Sequence, residues 1–309
     1  MAAFDSLYRR VVLATADAGF VRHFVERHGW RLGVGRFIAG PDAASAVPKF
    51  LELRTAGKRL ILDALGEFVT SEAAARRSAD TILAAVDVVA AAGIEPYFSV
   101  KPTQLGLGVD AGLALELAAT VAERIAAVSG HLCLDMESSP YVDATLDLWE
   151  RLRAGGQLHV SGVLQSYLHR TADDLERVLA LSPMPAVRIV KGAYKESSEV
   201  AMQARSDIEG GFVGLVERCL AAGAHVNIGT HDERLITMLL ASIDAKAADL
   251  PYEVQMLFGV RPALQDRLVA AGRPLRIYTP FGNDWYGYYS RRLAERPANL
   301  AVVVRGMFG

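Results

Sequence analysis

Among the 309 residues, cysteine is nearly absent: there are two, Cys133 and Cys219. Both sit in apolar surroundings, so no disulfide framework is expected and both read as buried thiols of a reducing compartment. Charge of one sign is also missing. The formal net charge is −2, with no run of like charges, so there is no electrostatic footprint for nucleic acid and no interaction tail. The opening MAAFDSLYRR carries Asp5 and lacks the ordered regions of a signal peptide. No uncharged apolar run reaches about 18 residues, since Asp87 interrupts the nearest one, Ile82 to Ile94. These absences point to a cytoplasmic globular protein, and a hydrophobic content of 51% supplies a large core.

What the sequence has is alternation. The first 58 residues carry helical patterns, at Phe20 to Trp30 and Pro41 to Ala56, and no convincing strand. From Arg59 onward, short apolar runs each lead through a polar turn into a helical segment. The expected strands are 59–64, 95–100, 131–135, 158–164, 187–190, 225–228, 252–257 and 275–278. Helical patterns fall between them, at 71–92, 111–129, 144–154, 172–181, 214–222, 233–247 and 262–271. The fold class is therefore α/β, a (β/α)₈ TIM-like barrel over 59–309 preceded by an N-terminal helical arm over 1–58. An open doubly wound sheet would need a glycine-rich phosphate turn after its first strand, and Leu65-Gly66-Glu67-Phe68 is not one. The long connection from Tyr194 to Gly211 is expected to hold its own short helix and to act as a lid.

In such a barrel, polar residues just past each strand face the catalytic mouth. Sorting by that rule collects Ser99, Lys101, Thr103 and Gln104 after strand 2, and Asp135, Met136 and Glu137 after strand 3. Gln165, Ser166 and Tyr167 follow strand 4; Arg188, Lys191, Gly192, Ala193 and Tyr194 come from strand 5. Strand 6 contributes Thr230, His231 and Asp232, strand 7 Glu253 and Gln255, and strand 8 Tyr278. Each has a plainer reading. Lys101 and Lys191 could be solvated rim lysines, Asp135 and Glu137 their structural partners, Thr230 or Asp232 helix caps, and Gln165 a satisfied core amide. The last helical segment is less ordinary. Helical spacing brings Tyr288 against Arg291 and Arg292, with Glu295 on the same face. Two guanidiniums beside a phenol ring make a bidentate receptor for a carboxylate.

Ser99–Gly106, Asp135–Glu137, Gln165–Leu168, Arg188–Tyr194, Thr230–Asp232, Glu253–Gly259 and Tyr286–Leu300 resemble, in order, the motifs of the proline dehydrogenase family. The strings Arg-Ile-Val-Lys-Gly-Ala-Tyr and Tyr-Ser-Arg-Arg-Leu-Ala-Glu-Arg-Pro-Ala-Asn are the most specific, and the length resembles the short monofunctional bacterial form. The resemblance implies a distorted barrel with its final helix over the mouth and a non-covalently bound FAD. It implies oxidation of L-proline to 1-pyrroline-5-carboxylate by hydride transfer to flavin N5, the first step of proline catabolism to glutamate. By the same resemblance Lys101, Arg291 and Arg292 hold the proline carboxylate, Tyr194 and Tyr288 wall the ring, and Glu295 with Tyr288 favours proline over its hydroxylated analogue. Asp135 and Tyr278 complete the polar network, Arg188 sits against the isoalloxazine, and Met136, Gln165, Lys191, Gly192, Ala193, Thr230 and His231 surround the flavin. A membrane quinone as electron acceptor, peripheral contact with the inner face of the membrane and a separate pyrroline-carboxylate dehydrogenase downstream are implied too; oligomerisation is left open. No metal is expected. Glu67 could close an ion pair with Arg291 or Arg292 over bound substrate. The residues alone also admit a Schiff-base aldolase on Lys101 or Lys191, a metal-dependent hydrolase using Asp135, Glu137, His231 and Asp232, and a non-catalytic amino-acid-binding barrel.

Overall fold

A computed structural model describes residues 19–31, 33–246 and 249–295. Eight parallel strands close on themselves in sequence order: β1 (Arg59–Ala64), β2 (Tyr97–Val100), β3 (His131–Leu134), β4 (Val160–Gln165), β5 (Val187–Val190), β6 (Val226–Gly229), β7 (Tyr252–Leu257) and β8 (Leu275–Phe281). The barrel closes where β1 pairs with β8, from Arg59 opposite Arg276 to Ala64 opposite Phe281. Among the described residues two helices precede it, α1 (Gly19–His28) and α2 (Ala43–Thr55). The crossovers are α3 (Glu72–Ala91), α4 (Ala111–Ala127), α5 (Val142–Ala154), α6 (Thr171–Leu179), α7 (Arg205–Ala221), α8 (Glu233–Ala245) and α9 (Pro262–Ala270), and α10 (Trp285–Glu295) follows β8. The expected (β/α)₈ barrel is what the chain forms.

Local chemistry explains the helix starts. The Asp42 carboxylate accepts from the Ser45 amide at 2.8 Å while the Ser45 hydroxyl accepts from the Asp42 amide, a reciprocal cap on α2. Ser71 and Asp110 cap α3 and α4 in the same way on one side.

Two features place the site. First, α10 does not lie against β8. It packs Trp285, Tyr288 and Tyr289 on Val34, Phe37 and Ile38, which leaves it at the carboxyl end of the barrel. The wall position beside β8 and β1 is taken by α2, whose Phe50 meets Phe281 edge-on at 5.8 Å. The chain entering α2 is bonded to the end of β8, through Ala39 N to Pro280 O and Gly282 N to Gly40 O. Second, the barrel interior is polar. Branched apolar side chains ordinarily fill such a barrel, yet Asp63, Ser99, Arg188, Asn227, Glu253, Gln255 and Arg276 are all buried.

One expected element is corrected. The sequence pattern starts a helix at 214 after a long loop with its own short helix, whereas α7 runs unbroken from Arg205. Gly210 and Gly211 lie inside it. A Cβ at Gly211 would stand 3.2 Å from the Ser166 carbonyl, so the glycine lets the helix pass close to the end of β4. The Ser166 hydroxyl donates to the Ile208 carbonyl at the same crossing.

Candidate active site

The carboxylate of Asp135, one residue beyond β3, is the hub. It accepts from Ser99 Oγ at 2.6 Å, Tyr278 OH at 2.7 Å and Arg188 Nη1 at 2.8 Å, with Lys101 Nζ at 3.5 Å. These partners come from β2, β5 and β8, so barrel closure alone brings them together. Burial raises the Asp135 pKa, but Lys101 and Arg188 outweigh it and hold the group below its ordinary value. Tyr278, donating to that carboxylate, is pushed well above the usual phenol range, first by burial and then by Asp135.

Lys101 also faces Asp63, in β1, at 3.5 Å. Both carboxylates keep the ammonium charged: its pKa is raised despite burial, with Asp63 the larger raising influence. A Schiff-base lysine needs the opposite shift, toward the neutral amine. The aldolase reading of Lys101 therefore fails on electrostatics. Sequence reasoning passed over Asp63. It is fully buried, and neither of its oxygens has a hydrogen-bond partner.

The arginine pair divides. Arg291 Nη1 bonds Glu67 Oε1 at 2.8 Å, so the expected ion pair between the loop after β1 and the final helix exists and uses Arg291. The Arg292 guanidinium stacks over the Tyr288 ring, 5.1 Å from its centroid, as the helical spacing requires. Tyr194 joins this end of the site. Its phenol is pushed up, first by burial, and lies within electrostatic reach of Glu137, Lys101 and Glu67. Glu295 ends α10, and its side chain lies outside the described residues.

The other candidates line the β4 to β6 side of the mouth. Gln165 donates to the Glu137 carbonyl at 2.8 Å, and Met136 is buried in the core. Glu137 pairs with neither lysine; it accepts from the Thr103 amide and hydroxyl at 2.9 and 2.6 Å and braces the turn after β2. Lys191 bonds Glu209 at 3.0 Å and Asp232 at 3.3 Å. Gly192 has φ +112°, and a Cβ there would stand 2.2 Å from the Tyr167 ring, so the turn between Lys191 and Ala193 admits only glycine. Asp232 caps α8, as its plainer reading had it, and Thr230 accepts from the Asp232 amide. His231 Nε2 accepts from the Leu257 amide at 2.8 Å, which places the proton of a neutral ring on Nδ1. The proposed metal set is thus scattered, and among the described residues no group of His, Cys, Asp and Glu could hold an ion.

Arg188 shows a cofactor-sized need. Its Nε and Nη1 are bonded, while Nη2 is buried without a partner. A buried guanidinium donor left unbonded is costly, and an electron-rich ring edge set against it would satisfy it. The residues present therefore fit a flavin.

A family model described as proline dehydrogenase matches residues 46–305. The chain is 40% identical to the proline dehydrogenase of Deinococcus radiodurans, covering 98% of each protein. It is 36% identical to proline dehydrogenase 2 of Bacillus subtilis, over 97% of this chain and 98% of that one. Among solved structures, proline utilization A from Bdellovibrio bacteriovorus, inactivated by N-propargylglycine, superposes with a TM-score of 0.79 at 19% identity over 89% of this chain. Proline utilization A from Bradyrhizobium japonicum gives 0.73 at 22% identity over 88%. The chain spans about a third of the length of either, and at these identities the likeness concerns the fold.

Proposed function

The chain belongs to the proline dehydrogenase family, flavin-dependent oxidoreductases acting on proline in the first step of its catabolism, and from that membership we propose how this site performs the reaction. The cofactor is FAD, which when bound supplies the hydride acceptor. L-Proline loses a hydride from the ring carbon beside nitrogen and a proton from nitrogen, and leaves as 1-pyrroline-5-carboxylate.

The chain's own residues orient the substrate. Lys101, Arg291 and Arg292 present three cations to the carboxylate, and the stacking of Arg292 on Tyr288 fixes one of them before binding. Tyr194 and Tyr288 wall the ring, with Glu295 setting preference at its far edge. Holding a ring this way against its hydride acceptor supplies orientation worth several kcal/mol. Asp135 keeps Lys101, Arg188 and Tyr278 in register; a flavin held beside Arg188 would meet its unbonded Nη2, whose charge would favour the reduced ring. Met136, Gln165, Lys191, Gly192, Ala193, Thr230 and His231 line the rest of the cofactor site.

The observation that carries this reading is the Asp135 hub, a charged-state network of two cations, two hydroxyls and one carboxylate in the barrel mouth. Electrons leave to a membrane quinone, and a separate dehydrogenase consumes the product. Among the described residues no helix is long and apolar enough to cross a membrane. The test is the visible spectrum of the purified protein: it should be yellow, with FAD released on denaturation. Colourless protein that takes up no added FAD would overturn the cofactor assignment.

A further inference from the structure

Below the Asp135 hub, a chain of buried polar side chains continues down the barrel interior. Arginine has donors only. Arg188 Nη1 gives to Asp135 Oδ1 and to Ser99 Oγ, and Nε gives to Gln255 Oε1 at 2.6 Å. The amide orientation of Gln255 is not arbitrary. Its Nε2 donates to Glu253 Oε1 at 3.1 Å; turning the amide over would set donor against donor above and acceptor against acceptor below. Glu253 is itself held. Its Oε1 accepts from Arg276 Nε at 2.8 Å, and its Oε2 lies 3.4 Å from Arg59 Nη1. Arg276 is anchored in turn on the Leu60 carbonyl at 2.9 Å and on Glu95 at 3.0 Å. Gln255 and Glu253 are almost wholly buried, so water does not substitute for these bonds.

We infer that Gln255, with Glu253 behind it, is a positioning residue for Arg188, fixing the guanidinium so that Nη2 is the donor directed to the cofactor. The inference rests on the flavin reading above and extends it to two residues that reach neither substrate nor flavin. Two acceptors on different strands, Asp135 beyond β3 and Gln255 on β7, clamp one planar fork from both sides. That fixes its plane and leaves one N–H pair unused. Without Gln255, Nε becomes a second buried unbonded donor, and the fork can relieve it by turning about Nη1, its remaining anchor on Asp135 and Ser99. The reduced, negatively charged cofactor then loses its aligned partner more than the oxidised one does.

The readout is therefore the cofactor's midpoint potential, measured by anaerobic titration of the holoenzyme. Gln255→Met keeps the length and removes the acceptor. It should weaken the preference for the reduced cofactor about tenfold, a fall of about 30 mV for a two-electron couple. Glu253→Gln, which keeps Gln255 but loosens its anchor, should lower the potential in the same sense by less, and serves if Gln255→Met does not fold. In an Arg188→Lys background, Gln255→Met should cause no further fall. A filler role for Gln255 would lower the melting temperature and leave the potential alone. An unchanged potential in both variants, or the same fall with Lys at 188, would overturn the inference while wild-type protein remained yellow and proline-reducible. Wild-type protein without flavin would overturn the reading beneath it.

Discussion

At the scale of single residues, the site is a problem of buried charge. Lys101 and Arg188 are kept ionised inside the barrel because Asp63 and Asp135 stand against them. His131 shows the opposite case. It lies lower in the barrel, its Nε2 2.7 Å from Ser161 Oγ, and burial with Arg276 nearby pushes its pKa down to about 3. The folded protein thus resists a proton that the unfolded chain accepts near pH 6.5. Stability from this residue is whole above about 6.5 and declines as pH falls toward 3, by up to roughly 1.4 kcal/mol per unit. Urea unfolding of His131→Asn and the parent between pH 7 and 4.5 should show a shallower acid loss in the variant. Parallel curves would show that His131 does not titrate in this way.

The residue scale is also where the sequence was least legible. Lys101, Asp135, Arg188, Tyr278, Arg291 and Arg292 are collected as candidates because they lie at strand ends or share a helix face, and the structure brings the first four together around the Asp135 carboxylate. Asp63 was missed, since one aspartate near the end of Leu60-Ile61-Leu62-Asp63 reads as the close of a strand. In β7, Glu253 and Gln255 alternate with Val254 and Met256. Such alternation in an ordinary sheet marks a face toward water. The expected barrel already turned that face inward, toward the mouth; what the sequence did not show is that the two residues lie below the Asp135 hub, bonded to Arg188 and Arg276.

Among elements, β1, β5 and β7 have the limits that composition alone sets, because β-rich runs bounded by polar turns leave little choice. The start of α7 does not, because Gly210, Gly211 and Gly214 disguise the helix, and of the three only Gly211 answers to close passage at β4. The exchange of places between α2 and α10 was legible only in part: the final helix was expected over the mouth, but nothing local assigns α2 to the wall it vacates. That assignment makes α2 structural. Phe50→Ala should cost about 3–5 kcal/mol of unfolding free energy by urea melt, and a loss below about 1 kcal/mol would mean that α2 does not complete the wall. The pair Glu67–Arg291 joins the loop after β1 to α10. It is partly exposed, so its own worth is about 0–1 kcal/mol. Glu67→Gln should accordingly change the KM for proline by no more than several-fold while speeding substrate release, read by stopped-flow. Unchanged release would rule out a gate.

Taken whole, the molecule is a barrel with buried charge inside and a final helix, α10, that brings Arg291 and Arg292 to its carboxyl end. Its central claim is that the cations at the mouth recognise the carboxylate of proline so that the ring meets the flavin. Anaerobic rapid mixing of the yellow protein with L-proline, and separately with pyrrolidine, which is the same ring without the carboxylate, tests that claim most directly. Bleaching by proline at least a hundredfold more efficient than by pyrrolidine, a difference of about 3 kcal/mol, is the predicted result. Equal efficiency for the two rings would contradict it.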